Sequence, residues 1–92
     1  DIIYVFSYTD DIDFMNMIRD IIKDINTDLS IHDFRVVYGE THTNLVFDVA
    51  MPVKFSCTKK ELRELIISEI KKIDENYFAI IQIDQLYNRS EQ

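Results

Sequence analysis

Ile31-His32-Asp33-Phe34-Arg35-Val36-Val37-Tyr38-Gly39-Glu40-Thr41-His42-Thr43-Asn44-Leu45-Val46-Phe47-Asp48-Val49-Ala50-Met51-Pro52 is the stretch from which the fold follows. Over Ile31–Tyr38 the apolar side chains alternate, with Phe34, Val36 and Tyr38 on one side and Asp33 and Arg35 on the other. Over Leu45–Met51 they alternate again, with Leu45, Phe47, Val49 and Met51 inward. Between the two runs, Gly39-Glu40-Thr41-His42 supplies a turn, so the segment predicts a β-hairpin. Pro52 closes it, because proline cannot donate to a central ladder.

On the N-terminal side, Phe14, Met15, Ile18, Ile21, Ile22 and Ile25 recur at helical spacing and predict a helix over about 11–26. Thr9-Asp10-Asp11-Ile12-Asp13 reads as its start, with acidic residues at the positive end of the dipole. The opening Asp1–Tyr8 is β-branched and aromatic, which suits either an edge strand or a tether. On the C-terminal side, Thr58-Lys59-Lys60-Glu61 has the spacing of a capping box, and Leu62, Leu65, Ile66, Ile70 and Ile73 follow as the stripe of a second helix. Phe78–Leu86 then alternates once more, with Ala79, Ile81 and Ile83 inward and Ile80, Gln82 and Asp84 outward.

The order is helix, strand, strand, helix, strand. A right-handed crossover places the last strand parallel to the second hairpin strand, with both helices on one face. The expected fold is α+β, ferredoxin-like or metallochaperone-like αββαβ, with or without an extra N-terminal edge strand. Residues 1–92 form a single domain in this reading: 1–10 a tether or edge strand, 11–87 the αββαβ core, 88–92 a frayed tail.

Composition narrows the function. Ten basic residues against seventeen acidic ones leave a net charge of −7, without the basic footprint that nucleic acid requires. The one cysteine, Cys57, excludes an internal disulfide and any multi-cysteine zinc or redox motif, which fits a reducing compartment. Apolar runs reach five residues, at Ile2–Phe6 and Tyr77–Ile81, against the ~20 needed to span a bilayer. The lone Gly39 rules out a Walker loop and a dinucleotide fingerprint. His32 and His42 are the only histidines, and no serine sits on a recognisable strained turn, so the expectation is a protein that is not an enzyme.

What remains is a set of polar side chains on the outer face. By strand parity Asp48, Gln82 and Asp84 point to the helix-free side, and oxygen donors converging there suit a divalent cation. His32 is a fourth candidate ligand near the sheet edge. Strict alternation puts it with Phe34 on the core side, although twist at a strand's first residue can swing the ring outward. Against the metal reading stands the ordinary polar outer face of a half-exposed sheet.

Through Ile31-His32-Asp33-Phe34 and Tyr38-Gly39, then Leu45–Pro52, the amphipathic helix from Thr58 and Ile80-Ile81-Gln82-Ile83-Asp84, the chain resembles the cytoplasmic C-terminal domain of cation diffusion facilitator (cation efflux) transporters. The resemblance covers nearly the whole chain. It implies a domain that dimerises in the cytosol beneath the transmembrane domain of the same parent chain, a proton-coupled divalent-cation exporter. In several members this domain binds metal between strands and across the dimer. His32 falls on the family's strand-leading histidine ligand and Asp84 on its late carboxylate.

Asp48 and Gln82 stand where the family often has histidine, and no histidine lies between Thr58 and Asp74. A donor set of one imidazole and several oxygens binds zinc weakly and leans toward harder ions such as Mn²⁺. The expectation is therefore a cytosolic dimerisation and regulatory domain, at the cytoplasmic side of the membrane. It requires no cofactor, and any Zn²⁺ or Mn²⁺ is held weakly by His32, Asp48, Gln82 and Asp84. The alternative is a free-standing ferredoxin-like domain that binds a small ligand or regulates.

Overall fold

The computed structural model describes residues 2–3 and 8–86. The expected tail at 88–92, and residues 1 and 4–7 of the N-terminal segment, lie outside the described residues. The elements in chain order are β1 (Ile2–Ile3), α1 (Tyr8–Ile25), β2 (Ser30–Gly39), β3 (Thr43–Pro52), α2 (Lys59–Ile73) and β4 (Tyr77–Leu86). The strands form one sheet in the order β1-β2-β3-β4. β2 and β3 are the antiparallel hairpin, and β4 runs parallel to β3 in unbroken register from Thr43↔Tyr77 to Pro52↔Leu86. The architecture is the α+β arrangement expected, with the crossover through α2 delivering β4 beside β3.

Of the two readings of the N-terminus, the edge strand holds for β1, whose Ile2 and Ile3 pair with Gly39 and Tyr38 of β2. It does not reach Tyr8, which already belongs to α1. The helix thus begins three residues before Asp11, and Thr9 and Asp10 lie inside its first turn rather than ahead of it.

The core lies between the sheet and the two helices. Ile18 and Ile22 of α1, Leu62, Ile66 and Ile70 of α2, and Val36, Leu45, Phe47, Val49, Met51, Ile81 and Ile83 of the strands are buried together. Thr58 caps α2 as its spacing predicts: its Oγ1 accepts from the Glu61 amide at 3.1 Å, and Glu61 Oε1 accepts from the Thr58 amide at 2.9 Å. The stripe of α2 is narrower than the sequence suggests, however. Leu65 and Ile73 are 42% and 48% exposed. α2 packs chiefly on β4 and only lightly on α1, so Leu65, on the flank toward α1, stays beside an open groove with Ile21 and Ile25.

The largest departure from simple alternation is in β2. His32 pairs with Asp48, but the next pair is Arg35 with Val46, so Asp33 and Phe34 together oppose Phe47 alone. This is a β-bulge, one extra residue in one strand of an antiparallel pair. Asp33 takes it up with φ of 54°, the left-handed region that aspartate tolerates better than most residues. Beyond the bulge Phe34 turns inward against Phe47, ring centroids 5.8 Å apart. Before it the parity is reversed, so His32 belongs to the helix-free face rather than the core side to which strict alternation assigns it.

Candidate functional site on the open sheet face

Registers and parity together define the helix-free face. β2 contributes Ser30, His32, Arg35 and Val37; β3 contributes Asn44, Val46, Asp48 and Ala50; β4 contributes Phe78, Ile80, Gln82 and Asp84. All four sequence-predicted ligands are in this set. His32, Asp48 and Gln82 form one row across three strands, since Asp48 is the partner of both other residues. Directly opposed side chains of an antiparallel pair, as His32 and Asp48 are, have Cβ atoms about 4.5–5.5 Å apart. Asp84 follows two residues along β4, and the Gln82 amide donates to its Oδ1 at 3.3 Å.

The row is open to solvent on its flanks. His32, Gln82 and Asp84 are exposed, and Asp48, on the central strand, is half-buried. His32 Nε2 lies 3.0 Å from Ser30 Oγ, so one ring nitrogen is engaged along its own strand. Beside the row is a shallow groove lined by Asp33, Phe34, Arg35, Asp48 and Gln82. The donors on offer are one imidazole nitrogen, carboxylate oxygens and an amide oxygen, a set that suits hard cations better than zinc. They share a face without closing a coordination shell: among the described residues no three His, Cys, Asp or Glu side chains stand close enough to hold one ion.

Arg35 lies on the polar side of β2 by alternation, outside the four candidate ligands. The structure sets its side chain in the same groove as Asp33, Asp48 and Gln82, diagonal to Asp48 across the hairpin. The signal was its parity, the same as that of Asp48 on the facing strand.

Toward the hairpin turn the same face gains large apolar side chains, beside Arg35 and the buried Asn44. Phe78 is 43% and Ile80 54% exposed, and Val46 lies alongside Ile80. The His42 ring packs on Phe78 with centroids 4.4 Å apart, and Lys71 Nζ sits 3.5 Å from that phenyl ring's centroid. His42, read from sequence as an exposed turn residue, is therefore half-buried against an aromatic partner. Cys57 is half-buried and packs against the core just ahead of the Thr58 cap. No protein-family model matches the chain, and neither a curated protein nor a solved structure matches it.

Proposed function

We propose that this chain is the cytosolic dimerisation and regulatory domain of a divalent-cation efflux transporter of the cation diffusion facilitator type. In this reading it has no catalytic role. It pairs with a second copy through the helix-free sheet face and lies beneath the transmembrane domain of its parent chain. The observation that carries the reading is the convergence of His32, Asp48, Gln82 and Asp84 on that one face, next to the exposed Phe78 and Ile80. Two neighbouring large apolar side chains, 43% and 54% exposed beside a row of potential ligands, favour a partner on this face. No helix among the described residues is long and apolar enough to cross a membrane, so membrane passage in such a parent belongs to another part of that chain.

Metal is secondary in this reading. One imidazole and a few oxygens from one subunit fall short of the four nitrogen- or sulfur-rich ligands of a structural zinc site, so zinc binds no tighter than ~micromolar and the fold stands without it. Sedimentation from micromolar to near-millimolar chain tests the first half, with the mass expected to rise toward twice that of the monomer. Calorimetry with Zn²⁺ and Mn²⁺ on the wild type and on Asp84→Ala tests the second. A monomer at every concentration would overturn the dimerisation role. Nanomolar zinc binding abolished by Asp84→Ala would overturn the weak site.

A further inference from the structure

The open face carries Asp48 and Asp84, and Asp33 of the bulge lines the groove beside Asp48, in a chain whose net charge is already −7. Bringing two such faces together concentrates carboxylates, and like charges across an interface oppose association unless a cation lies between them. The face contains its own cation. Arg35 lines the same groove as Asp33 and Asp48, and among the described residues no hydrogen bond or ion pair engages its guanidinium. Several basic side chains elsewhere are already engaged: Arg19 donates to Asn16, Lys23 to the Thr27 and Leu29 carbonyls, Lys72 to Glu69.

Building on the dimerisation reading above, we infer that Arg35 is the cation that joins the two open faces, docking against Asp48 of a second copy of this chain. The geometry is self-complementary. In a two-fold contact the same patch meets itself, so if one residue faces another across the axis, the reciprocal pair forms as well. An axis running in the interface between Arg35 and its diagonal neighbour Asp48 brings each guanidinium onto the other copy's carboxylate, and does so twice. A planar guanidinium can meet a carboxylate through two parallel hydrogen bonds, which fixes orientation as well as charge. The exposed Phe78 and Ile80 lie on the same face and add apolar area to the contact. The bulge at Asp33 adds His32 to the face on which Arg35 and Asp48 already lie. The intersubunit bridge is thus an arginine, and a divalent ion is dispensable.

Charge reversal on the intact chain tests this. Arg35→Glu and Asp48→Arg are each measured alone and then mixed in equal amounts, by sedimentation over micromolar to near-millimolar concentration. Each variant alone is expected to dissociate at least ~10-fold more readily than the wild type, because two pairings become repulsive. The mixture is expected to recover the doubled mass. In the mixed dimer the two substituted positions face each other with opposite charges, and the remaining native pair, Arg35 of one chain and Asp48 of the other, is intact. Circular dichroism of each variant verifies that the fold is retained. EDTA is expected to leave the wild-type dimer unchanged. A dimer indifferent to both substitutions would overturn the role of Arg35 while leaving the dimerisation reading standing. A dimer that EDTA dissolves would assign the bridge to a metal ion and likewise overturn it. A wild-type chain that stays monomeric would overturn the dimerisation reading itself, and this inference with it.

Discussion

The two faces of this one sheet differ in kind, although they are built from the same three long strands. The helix-covered face is mainly apolar, and its centre, Val36, Leu45, Phe47, Val49, Met51, Ile81 and Ile83, is buried with Ile18, Ile22, Leu62, Ile66 and Ile70. The open face is divided. Its end near the hairpin turn carries Val46, Phe78 and Ile80, and its far end carries Ser30, His32, Asp48, Gln82 and Asp84. The first face holds the chain folded; the second is left uncovered by the helices. Burial against the helices is thus decided by strand parity, and a substitution should cost stability or spare it according to the face on which it falls.

The sharpest way to break that comparison is to empty the covered face. Phe47→Ala, at 1% exposure on the central strand, and Ile66→Ala, at 0% on α2, are each expected to cost about 2–5 kcal/mol in chemical denaturation. The same truncation on the open face, Ile80→Ala, is expected to cost under ~1 kcal/mol, since a side chain that is 54% exposed leaves little cavity. A loss at Ile80 as large as that at Phe47, measured on dilute protein, would show that the open face is part of the fold.

A second substitution probes the device that sorts residues between the faces. Asp33→Val puts a β-branched residue at φ of 54° and is expected to cost ~1–2 kcal/mol. Asp33→Gly is expected to cost nothing, because glycine adopts that conformation freely. If valine is tolerated as well as glycine, the bulge relaxes easily and His32 is not held on the open face.

Smaller effects sharpen the picture at the helices. Thr58→Ala removes the acceptor for the Glu61 amide and is expected to lower stability by about 1 kcal/mol. Thr58→Ser keeps the hydroxyl and is expected to restore it, with both read as shifts in the denaturation midpoint. Smallest of all is Lys72→Ala. Its ion pair with Glu69 at 2.8 Å joins side chains 70% and 36% exposed, so its loss is expected to change stability by no more than ~0.5 kcal/mol even at low salt.

Much of the fold was legible because the signals are local. Alternation in Leu45–Met51 and in Ala79–Asp84 gives the correct face for every residue of those strands, since their mutual register is unbroken. The Thr58–Glu61 pair marked a helix start that the structure reproduces bond for bond. The helical spacing identifies the stripe of α1 at Ile18, Ile22 and Ile25, but it points to Met15 where Met17 packs against the core. A period of 3.6 leaves residues at the margin of the stripe undecided until the opposing surface is known. Leu65 and Ile73 failed for the same reason. Whether a flank of α2 is covered depends on how far away α1 sits, and no residue of α2 encodes that distance.

The candidate site divides in the same way. Asp48, Gln82 and Asp84 could be assigned to one face from period-two alternation alone, because successive strand side chains point to opposite sides whatever the partner. That these three lie side by side needed only the right-handed crossover that sets β4 next to β3. His32 was different. Counting from Phe34 by twos sends His32 into the core, and only the pairing of β2 with β3, with two residues against one at Asp33, turns it outward to join Arg35 and Asp48. A bulge is a property of two strands together, because an extra residue exists only relative to the partner it fails to match. The residues of one strand specify which side chains must be buried, but the register against its neighbour decides which of the rest meet.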